Sequence, residues 1–373
     1  MADTYQVCSR CILPSSFPGI SFDDEGVCSE CHRHDERWRT FDAGQAERSA
    51  LLERLCDDAR ARGKEFDALV PLSGGKDSLY VLYQATRHLG LRCLAFTLYN
   101  GFLSDAAKAN IRSACSRLGV EHVYYNMDPQ LMSQLFALFM RKTGDFCGVC
   151  MRAIGMATER VADMYDVPLI LQGSSSRTEL VLSREMFEPG PIPYIRNVLA
   201  GEEIGPEARR LLYNVSMRRR LGYRVFRAER GTRLRFYGGL KLPDYMDWDY
   251  DTIYRVLREE LGWQAPQGKA EHYDCQIHAV TNYMHNRRFP GLEIRRLTLA
   301  RLAMVGQISR EEALAQLQEP EETCPEEEMA LLLDRLNMPR EEFDRCVDLG
   351  PRHLLYQPKP ASRLQRVVKR VLG

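Results

Sequence analysis

The chain of 373 residues has no long hydrophobic run and no excess of charge of either sign. No apolar stretch comes near the roughly 18 residues that a membrane-spanning helix needs, which excludes a transmembrane segment. Lysine plus arginine and aspartate plus glutamate each number 51, so nothing in the overall charge requires a nucleic acid or a membrane surface as a partner. No signal peptide is apparent, and we expect a cytoplasmic protein.

The Walker A spacing is also missing, which disfavours ordinary phosphoryl transfer. In its place the motif SGGKDS follows the apolar run 66–72 directly. Adjacent glycines let a backbone approach an anion, and a helix beginning at Asp77 or Ser78 would direct free N–H groups towards it. The hydroxyls and the lysine of the motif add further donors. The residues predicted to bind the phosphates of a nucleotide are Ser73, Gly74, Gly75, Lys76, Asp77 and Ser78.

Apolar strands alternate with helical patterns from residue 66 onwards, which predicts an α/β fold with a parallel sheet covered on both faces. Strands are predicted over 66–72, 91–99, 122–126 and 167–171, and helices over 44–63, 78–89, 106–118, 131–141 and 151–164. Ligands of such sheets bind at the carboxyl ends of the strands, where the phosphate motif and the turn starting at Gly173 both fall. Gly173 is therefore a further predicted nucleotide-binding residue.

Four of the twelve cysteines form two Cys-x-x-Cys pairs near the start of the chain, namely Cys8, Cys11, Cys28 and Cys31. In a cytosolic protein this spacing indicates metal binding rather than disulfides. Two such pairs close a tetrahedral Zn²⁺ site, which would also fold a segment too short to have its own core. An iron–sulfur cluster or free thiols are the alternatives.

A third Cys-x-x-Cys pair, Cys147 and Cys150, precedes a predicted helix of the α/β core. The field at a helix N-terminus favours thiolates, which suits this pair to a metal, a persulfide or a disulfide cycle. Cys275 lies far along the chain among polar residues. Three thiolates would hold a [4Fe–4S] cluster with one open iron, and inert buried thiols are the alternative.

The remaining organisation is less regular. Residues Glu207–Arg235 contain ten arginines and two glutamates with aromatic residues interleaved, a pattern typical of a surface for an anionic partner. We predict four parts: a zinc module over 1–43, an ATP-binding α/β core over 44–185, an arginine-rich insertion or lid over 186–245, and a mainly helical C-terminal region over 246–373. That last region carries a capping-box pattern from Ser309 to Glu312.

The SGGxDS motif resembles the PP-loop ATP pyrophosphatase superfamily, a HUP-like group that cleaves ATP between its α and β phosphates. The resemblance implies that ATP with Mg²⁺ adenylates a carbonyl or amide oxygen, with AMP and pyrophosphate as products. Lys76 would stabilise charge on the pyrophosphate, and Asp77 would help to place Mg²⁺ or cap the helix.

Two branches of the superfamily are similar to different parts of the chain. The order of the SGGKDS motif, Cys147 and Cys150, and a distant Cys275 resembles cluster-dependent tRNA thiolation enzymes. This resemblance implies sulfur transfer to a nucleobase or another small molecule, catalysed by those three cysteines with a sulfur donor. Over most of its length, including the segments 8–28 and Ile308–Leu314, the chain resembles N-acetyl sugar amidotransferases, which implies nitrogen transfer to a sugar with a glutaminase partner.

The leading hypothesis is sulfur transfer, and nitrogen transfer is the alternative. A third hypothesis is a protein without catalytic activity that binds RNA through residues Arg218–Arg235. This third hypothesis is disfavoured because the polar residues of the phosphate motif are all present, namely Ser73, Asp77 and Ser78.

Overall fold

The computed structural model describes residues 5–175, 192–213, 239–264, 274–318 and 324–357. A five-stranded sheet lies at its centre, with the strand order β3-β2-β1-β4-β5 and every neighbouring pair parallel. The strands are β1 (Ala68–Pro71), β2 (Cys93–Tyr99), β3 (Glu121–Asn126), β4 (Leu169–Gln172) and β5 (Leu240–Lys241).

The central position of β1 follows from its sequence. Ala68, Leu69 and Val70 are fully buried, as expected of a strand covered on both faces. In the register, Ala68 pairs with Cys93 of β2 on one side and with Leu169 of β4 on the other. The order reverses at β1, since β2 and β3 lie to one side of it and β4 and β5 to the other. This reversal is the point at which parallel sheets bind their ligands.

Helices cover both faces of the sheet and continue beyond it. Those in the first half are α1 (Ser29–Ala43), α2 (Gln45–Ala61), α3 (Lys76–Tyr83, extended by a π-helical turn, Gln84–His88), α4 (Asp105–Leu118), α5 (Pro129–Thr143), α6 (Cys147–Met164), α7 (Ile192–Val198) and α8 (Pro206–Tyr213). Those after β5 are α9 (Tyr250–Glu259), α10 (His278–Arg288), α11 (Ile294–Met304), α12 (Arg310–Leu317), α13 (Glu326–Leu336) and α14 (Arg340–Asp348), with short 3-10 turns at Leu242–Asp244 and Arg352–Tyr356.

The core is divided between the faces of the sheet. On one face α2, α3, α4 and α9 pack against the sheet, and the residues after β5 complete this cluster through side chains such as Leu242 and Leu257. On the other face the apolar residues of α6, including Ala157 and Val161, contact Phe96 of β2. A further cluster joins α5 and α6 to the C-terminal helices, where Phe343 is fully buried.

The predicted fold class is confirmed: a parallel α/β core with a four-cysteine module before it and helices after it. The α3 helix begins at Lys76, earlier than the predicted Asp77 or Ser78, because Gly75 already has the extended backbone of an N-cap. The capping box of Ser309 and Glu312 is present in both directions. The helices α1, α7, α8 and α10 were not predicted. The short α8 has a buried stripe of Ala208, Leu211 and Leu212, but it lies in the segment that was interpreted as an arginine-rich surface.

Part of the predicted arginine-rich surface, from residue 214 to 238, lies outside the described residues. Its first portion forms α8, which packs on α6. Within the described ranges no helix combines the length and the apolar character that a membrane crossing requires.

Candidate functional site

The phosphate motif forms the turn between β1 and α3, at the carboxyl end of the central strand. The Ser78 hydroxyl accepts a hydrogen bond from the Ser73 backbone N–H at 3.3 Å and donates one to the Gly75 carbonyl at 3.0 Å. The Gly75 N–H in turn donates to the Ser73 hydroxyl at 3.3 Å. These bonds fix the turn as a tight loop whose ends are joined by two serines.

Two glycines have no room for a side chain. Gly74 has a φ of +86°, and a Cβ there would lie 2.7 Å from the Cα of Ala107, in the first turn of α4. A Cβ on Gly173, just after β4, would lie 2.8 Å from the backbone carbon of Asp77. The loop therefore packs closely against the residues that follow β2 and β4. Both glycines are needed because a side chain at either position would prevent this close backbone packing.

Lys76 and Asp77 stand in the first turn of α3, where the helix N-terminus has no side-chain cap. The Lys76 ammonium lies 3.3 Å from Asp77 Oδ2 and 5.0 Å from the centre of the Tyr250 ring. Burial by itself would lower the pKa of Lys76, but the charge of Asp77 and the rings of Tyr250 and Tyr254 outweigh it, so the pKa is raised. Lys76 is therefore a permanent cation beside free backbone N–H groups, an arrangement that suits a polyphosphate.

The pair Cys147 and Cys150 occupies the first turn of α6, as predicted. Asp145 precedes the helix, and its Oδ1 accepts hydrogen bonds from the backbone N–H groups of Phe146 at 2.6 Å and Cys147 at 3.0 Å. Its Oδ2 accepts a bond from Arg288 at 2.9 Å. Because α6 runs antiparallel to the strands, its N-terminus lies at the same edge of the sheet as the phosphate loop.

The structure brings Cys275 to this edge, which the sequence could not show. Cys275 forms an isolated antiparallel bridge with Leu103, and the Gln276 N–H donates to the Phe102 carbonyl at 2.7 Å. The same segment after β2 contacts the other thiol, since Asn100 Nδ2 donates to the Cys150 sulfur at 3.1 Å. The charge of Cys150 also contributes to the raised pKa of Cys275, as expected of neighbouring thiols.

The helix field was expected to favour thiolates at Cys147 and Cys150. Burial raises the pKa of Cys150, although the hydrogen bond from the Asn100 amide lowers it. Burial likewise raises the pKa of Cys275 to about 12. Desolvation in this apolar cluster favours the protonated forms, so these two sulfurs need a metal or another cation before they lose their protons.

The four N-terminal cysteines meet as predicted. Cys8, Cys11, Cys28 and Cys31 are fully buried, and their sulfur atoms all lie within 4.8 Å of one another. The Cys8 sulfur accepts three backbone hydrogen bonds, from Arg10, Cys11 and Cys28, at 3.3–3.4 Å. Four sulfurs, with backbone donors around one of them, fit a tetrahedral metal such as Zn²⁺.

This module is attached to the C-terminal helices rather than to the sheet. Its apolar residues form one cluster with side chains of α11 and α12 such as Leu297 and Ala313. Arg310 donates to the Cys8 carbonyl at 3.1 Å and Arg296 to the Ile12 carbonyl at 3.3 Å. The four-cysteine module thus packs against α11 and α12, two helices that lie far along the chain.

Sequence reasoning missed several residues of the site. Trp248 donates to Asp77, Tyr250 faces Lys76, and Asn100 contacts Cys150. These side chains come from segments without a motif. Only their place after strands β2 and β5, where ligand-binding residues collect, could have indicated them.

Comparison with known proteins gives one match in sequence and distant likenesses in structure. Residues 267–369 match the family described as LPS biosynthesis protein WbpG-like, C-terminal domain. A search of curated protein sequences finds no match.

Two solved structures are similar at 14% identity. One is the U34-tRNA thiolase NcsA from Methanococcus maripaludis with its [4Fe-4S] cluster, which matches 69% of this chain and 74% of its own with a TM-score of 0.28. The other is NMN synthetase from Francisella tularensis, with 86% and 98% covered and a TM-score of 0.33.

Proposed function

We propose that this protein is a PP-loop enzyme that uses ATP to adenylate a carbonyl or amide oxygen and then replaces that oxygen with sulfur. The observation that supports the ATP step best is the phosphate loop itself. It combines an uncapped helix N-terminus, two glycines without room for a side chain and the permanent cation of Lys76.

In the first step the acceptor oxygen attacks the α-phosphorus of ATP, and the bond from that phosphorus to the β-phosphate oxygen breaks. Pyrophosphate leaves with the electron pair of that bond. Lys76 and the N–H groups of the first turn of α3 stabilise the negative charge on it. Asp77, whose carboxylate lies in the same turn, would hold Mg²⁺.

In the second step sulfur, at the oxidation level of sulfide, attacks the carbon that carries the adenylated oxygen. AMP leaves with that oxygen, so no external oxidant or reductant is required. Cys147, Cys150 and Cys275 would hold a [4Fe–4S] cluster, which when bound supplies an iron with an open position for sulfide. The bridge of Cys275 to Leu103, in the segment that also contacts Cys150 through Asn100, supports this assignment. Among the described residues, however, only Cys8, Cys11, Cys28 and Cys31 have their sulfur atoms all within 4.8 Å of one another, so the three cysteines would have to move closer together to bind a cluster.

Metal and sulfide analysis on protein purified without oxygen tests the sulfur proposal. We expect about one zinc and about four irons and four sulfides per chain, as the two thiolate sites require. The iron and sulfide should be lost, and the zinc kept, in the double variant Cys147→Ser and Cys150→Ser. The matched control replaces two buried cysteines that lie singly in α2 and α4, with Cys56→Ser and Cys115→Ser. It should keep the zinc, the iron and the sulfide.

Activity assays separate the two steps. The variant Cys275→Ala keeps the backbone bonds to Leu103 and Phe102, so we expect it still to release pyrophosphate from ATP but to make no thiolated product. If wild-type protein holds zinc alone, and a variant without the thiols of residues 147, 150 and 275 makes as much final product as the wild type, the sulfur proposal is wrong.

Nitrogen transfer to an N-acetylated sugar is the second candidate, and the match of residues 267–369 to an LPS biosynthesis protein family favours it. This function predicts AMP formation that depends on a sugar substrate together with ammonia or a glutaminase partner. It also predicts full activity in the Cys147→Ser and Cys150→Ser variant. The two candidates therefore give opposite results with the same protein.

A further inference from the structure

Trp248 lies in the segment between the short 3-10 turn after β5 and α9, far in sequence from the phosphate loop. Its indole Nε1 donates a hydrogen bond to Asp77 Oδ1 at 3.0 Å. The other carboxylate oxygen, Oδ2, lies 3.3 Å from the Lys76 ammonium. Each oxygen of Asp77 thus has its own donor, and the two donors come from different parts of the chain.

The indole is itself fixed on α3. Its ring packs edge-on against Tyr80 with the ring centres 4.9 Å apart, and Tyr80 is buried one turn after Asp77. Close by, Asp249 caps α9 and places the Tyr250 ring 5.0 Å from the Lys76 ammonium. The rings of Trp248 and Tyr250 therefore both lie beside the first turn of α3, with Trp248 against Asp77 and Tyr250 against Lys76.

A bound nucleotide would affect the two donors to Asp77, the Lys76 ammonium and the Trp248 indole, in different ways. Phosphates attract the Lys76 ammonium, which is mobile at the end of a long chain, and its departure would leave Oδ2 without that cation. The indole N–H carries no charge, so phosphates attract it much less strongly than they attract the ammonium. The Trp248 bond then keeps the plane of the carboxylate fixed while Oδ2 is released.

We propose that Trp248 is a positioning residue that holds Asp77 so that Oδ2 is directed at the Mg²⁺ of bound ATP. This inference rests on the proposed use of ATP and adds to it a residue outside the motif. Hydrogen bonds to charged groups contribute about 1.5–3 kcal/mol. Loss of the Trp248 bond should therefore weaken binding that depends on Mg²⁺ by about tenfold or more, with little effect on binding without Mg²⁺.

The test measures equilibrium binding of α,β-methylene-ATP, which cannot be cleaved between its α and β phosphates, with and without Mg²⁺. We expect Mg²⁺ to tighten binding in the wild type and to do so about tenfold less in Trp248→Phe, which keeps an aromatic ring against Tyr80. The matched control is Trp263→Phe. Trp263 packs on Tyr254 of α9, but its indole N–H has no hydrogen-bond partner among the described residues.

A folded Trp248→Phe variant whose Mg²⁺ enhancement equals that of the wild type would overturn the inference. If the Phe variant does not fold, Trp248→His provides the second test, since it retains an aromatic N–H. It should keep more of the enhancement than Trp248→Leu, and equal enhancement in both would contradict the proposal. A wild-type protein that does not bind the analogue at all would instead refute the proposed function, and the inference would fall with it.

Discussion

Cys275 and Leu103 form an isolated antiparallel bridge, although Leu103 follows the second strand of the sheet and Cys275 belongs to the C-terminal region. The bridge brings a thiol to the segment that also contacts Cys150 through Asn100. A backbone contact, which does not depend on the cysteine side chain, therefore holds Cys275 beside this segment. This is why Cys275→Ala is an informative variant: it removes the sulfur and leaves the bridge.

The phosphate loop gives the first prediction. Gly74→Ala combines a left-handed φ with a Cβ only 2.7 Å from Ala107, so we expect release of AMP and pyrophosphate to be lost. The free energy of unfolding should fall by about 1–3 kcal/mol. Gly119→Ala is the matched control, because Gly119 has a φ of +66° but open space around its Cβ. Activity and urea unfolding of the two variants distinguish the close contact from backbone strain alone, and an active Gly74→Ala enzyme would refute the prediction.

The four-cysteine module gives the second prediction. Cys11→Ser should lose the metal of this site, lower the melting temperature and expose the apolar face of α11 and α12, because the module and those helices share one core. Metal analysis, thermal unfolding and limited proteolysis measure these changes. Cys56→Ser, at a lone buried cysteine of α2, should keep the metal. Equal metal content and equal proteolysis in the two variants would contradict the assignment.

Arg288 gives the third prediction. Its side chain is only 2% exposed, and its charge is balanced by Asp145 at 2.9 Å, with His353 as a further contact at 2.9 Å. Asp145→Ala leaves this cation uncompensated and should lower the free energy of unfolding by about 3–5 kcal/mol.

The control for Asp145→Ala is Glu342→Ala, which breaks a surface pair with Arg141 and should cost about 0–1 kcal/mol. Chemical denaturation measures both variants. Similar losses of stability in the two would show that the Arg288 pair has no special importance for folding.

His285 gives the fourth prediction. It is buried in α10, and its Nε2 lies 3.0 Å from the Leu292 carbonyl, to which the neutral ring donates. Burial lowers the pKa of His285 from 6.5 to about 4. The unfolded chain therefore binds a proton between these values when the folded one does not, and the free energy of unfolding falls as the pH is lowered from about 6.5 to about 4.

The test of this pH dependence is urea unfolding at several pH values on the wild type and on His285→Gln, whose amide can still donate to Leu292. Between pH 6.5 and about 4, the free energy of unfolding of the variant should decrease less than that of the wild type. Above pH 6.5 the two proteins should differ less in how this free energy depends on pH. The half-buried His122, whose pKa is also lowered to about 4 by desolvation, leaves a decrease of the same sign in both proteins. An identical pH dependence in both would contradict the prediction.

Sequence alone determined the α/β core, the phosphate loop and the four-cysteine module. These features depend on local patterns: an apolar run, two glycines at a turn and cysteines close in sequence. Such patterns fix their own geometry through backbone sterics and short-range contacts, so Gly74 and Cys8 are where their spacing predicts. Even there, the start of α3 at Lys76 was set by the backbone of Gly75 rather than by the side chains.

Tertiary structure alone decided what reaches the edge of the sheet from elsewhere. Trp248 on Asp77, Asn100 on Cys150 and Cys275 beside Leu103 are contacts between segments with no shared motif. The raised pKa of Cys150 is also a tertiary effect, because it comes from burial in the cluster that joins α6 to the C-terminal helices. Local sequence specifies which groups are available, and only packing specifies which of them meet and how much water remains around them.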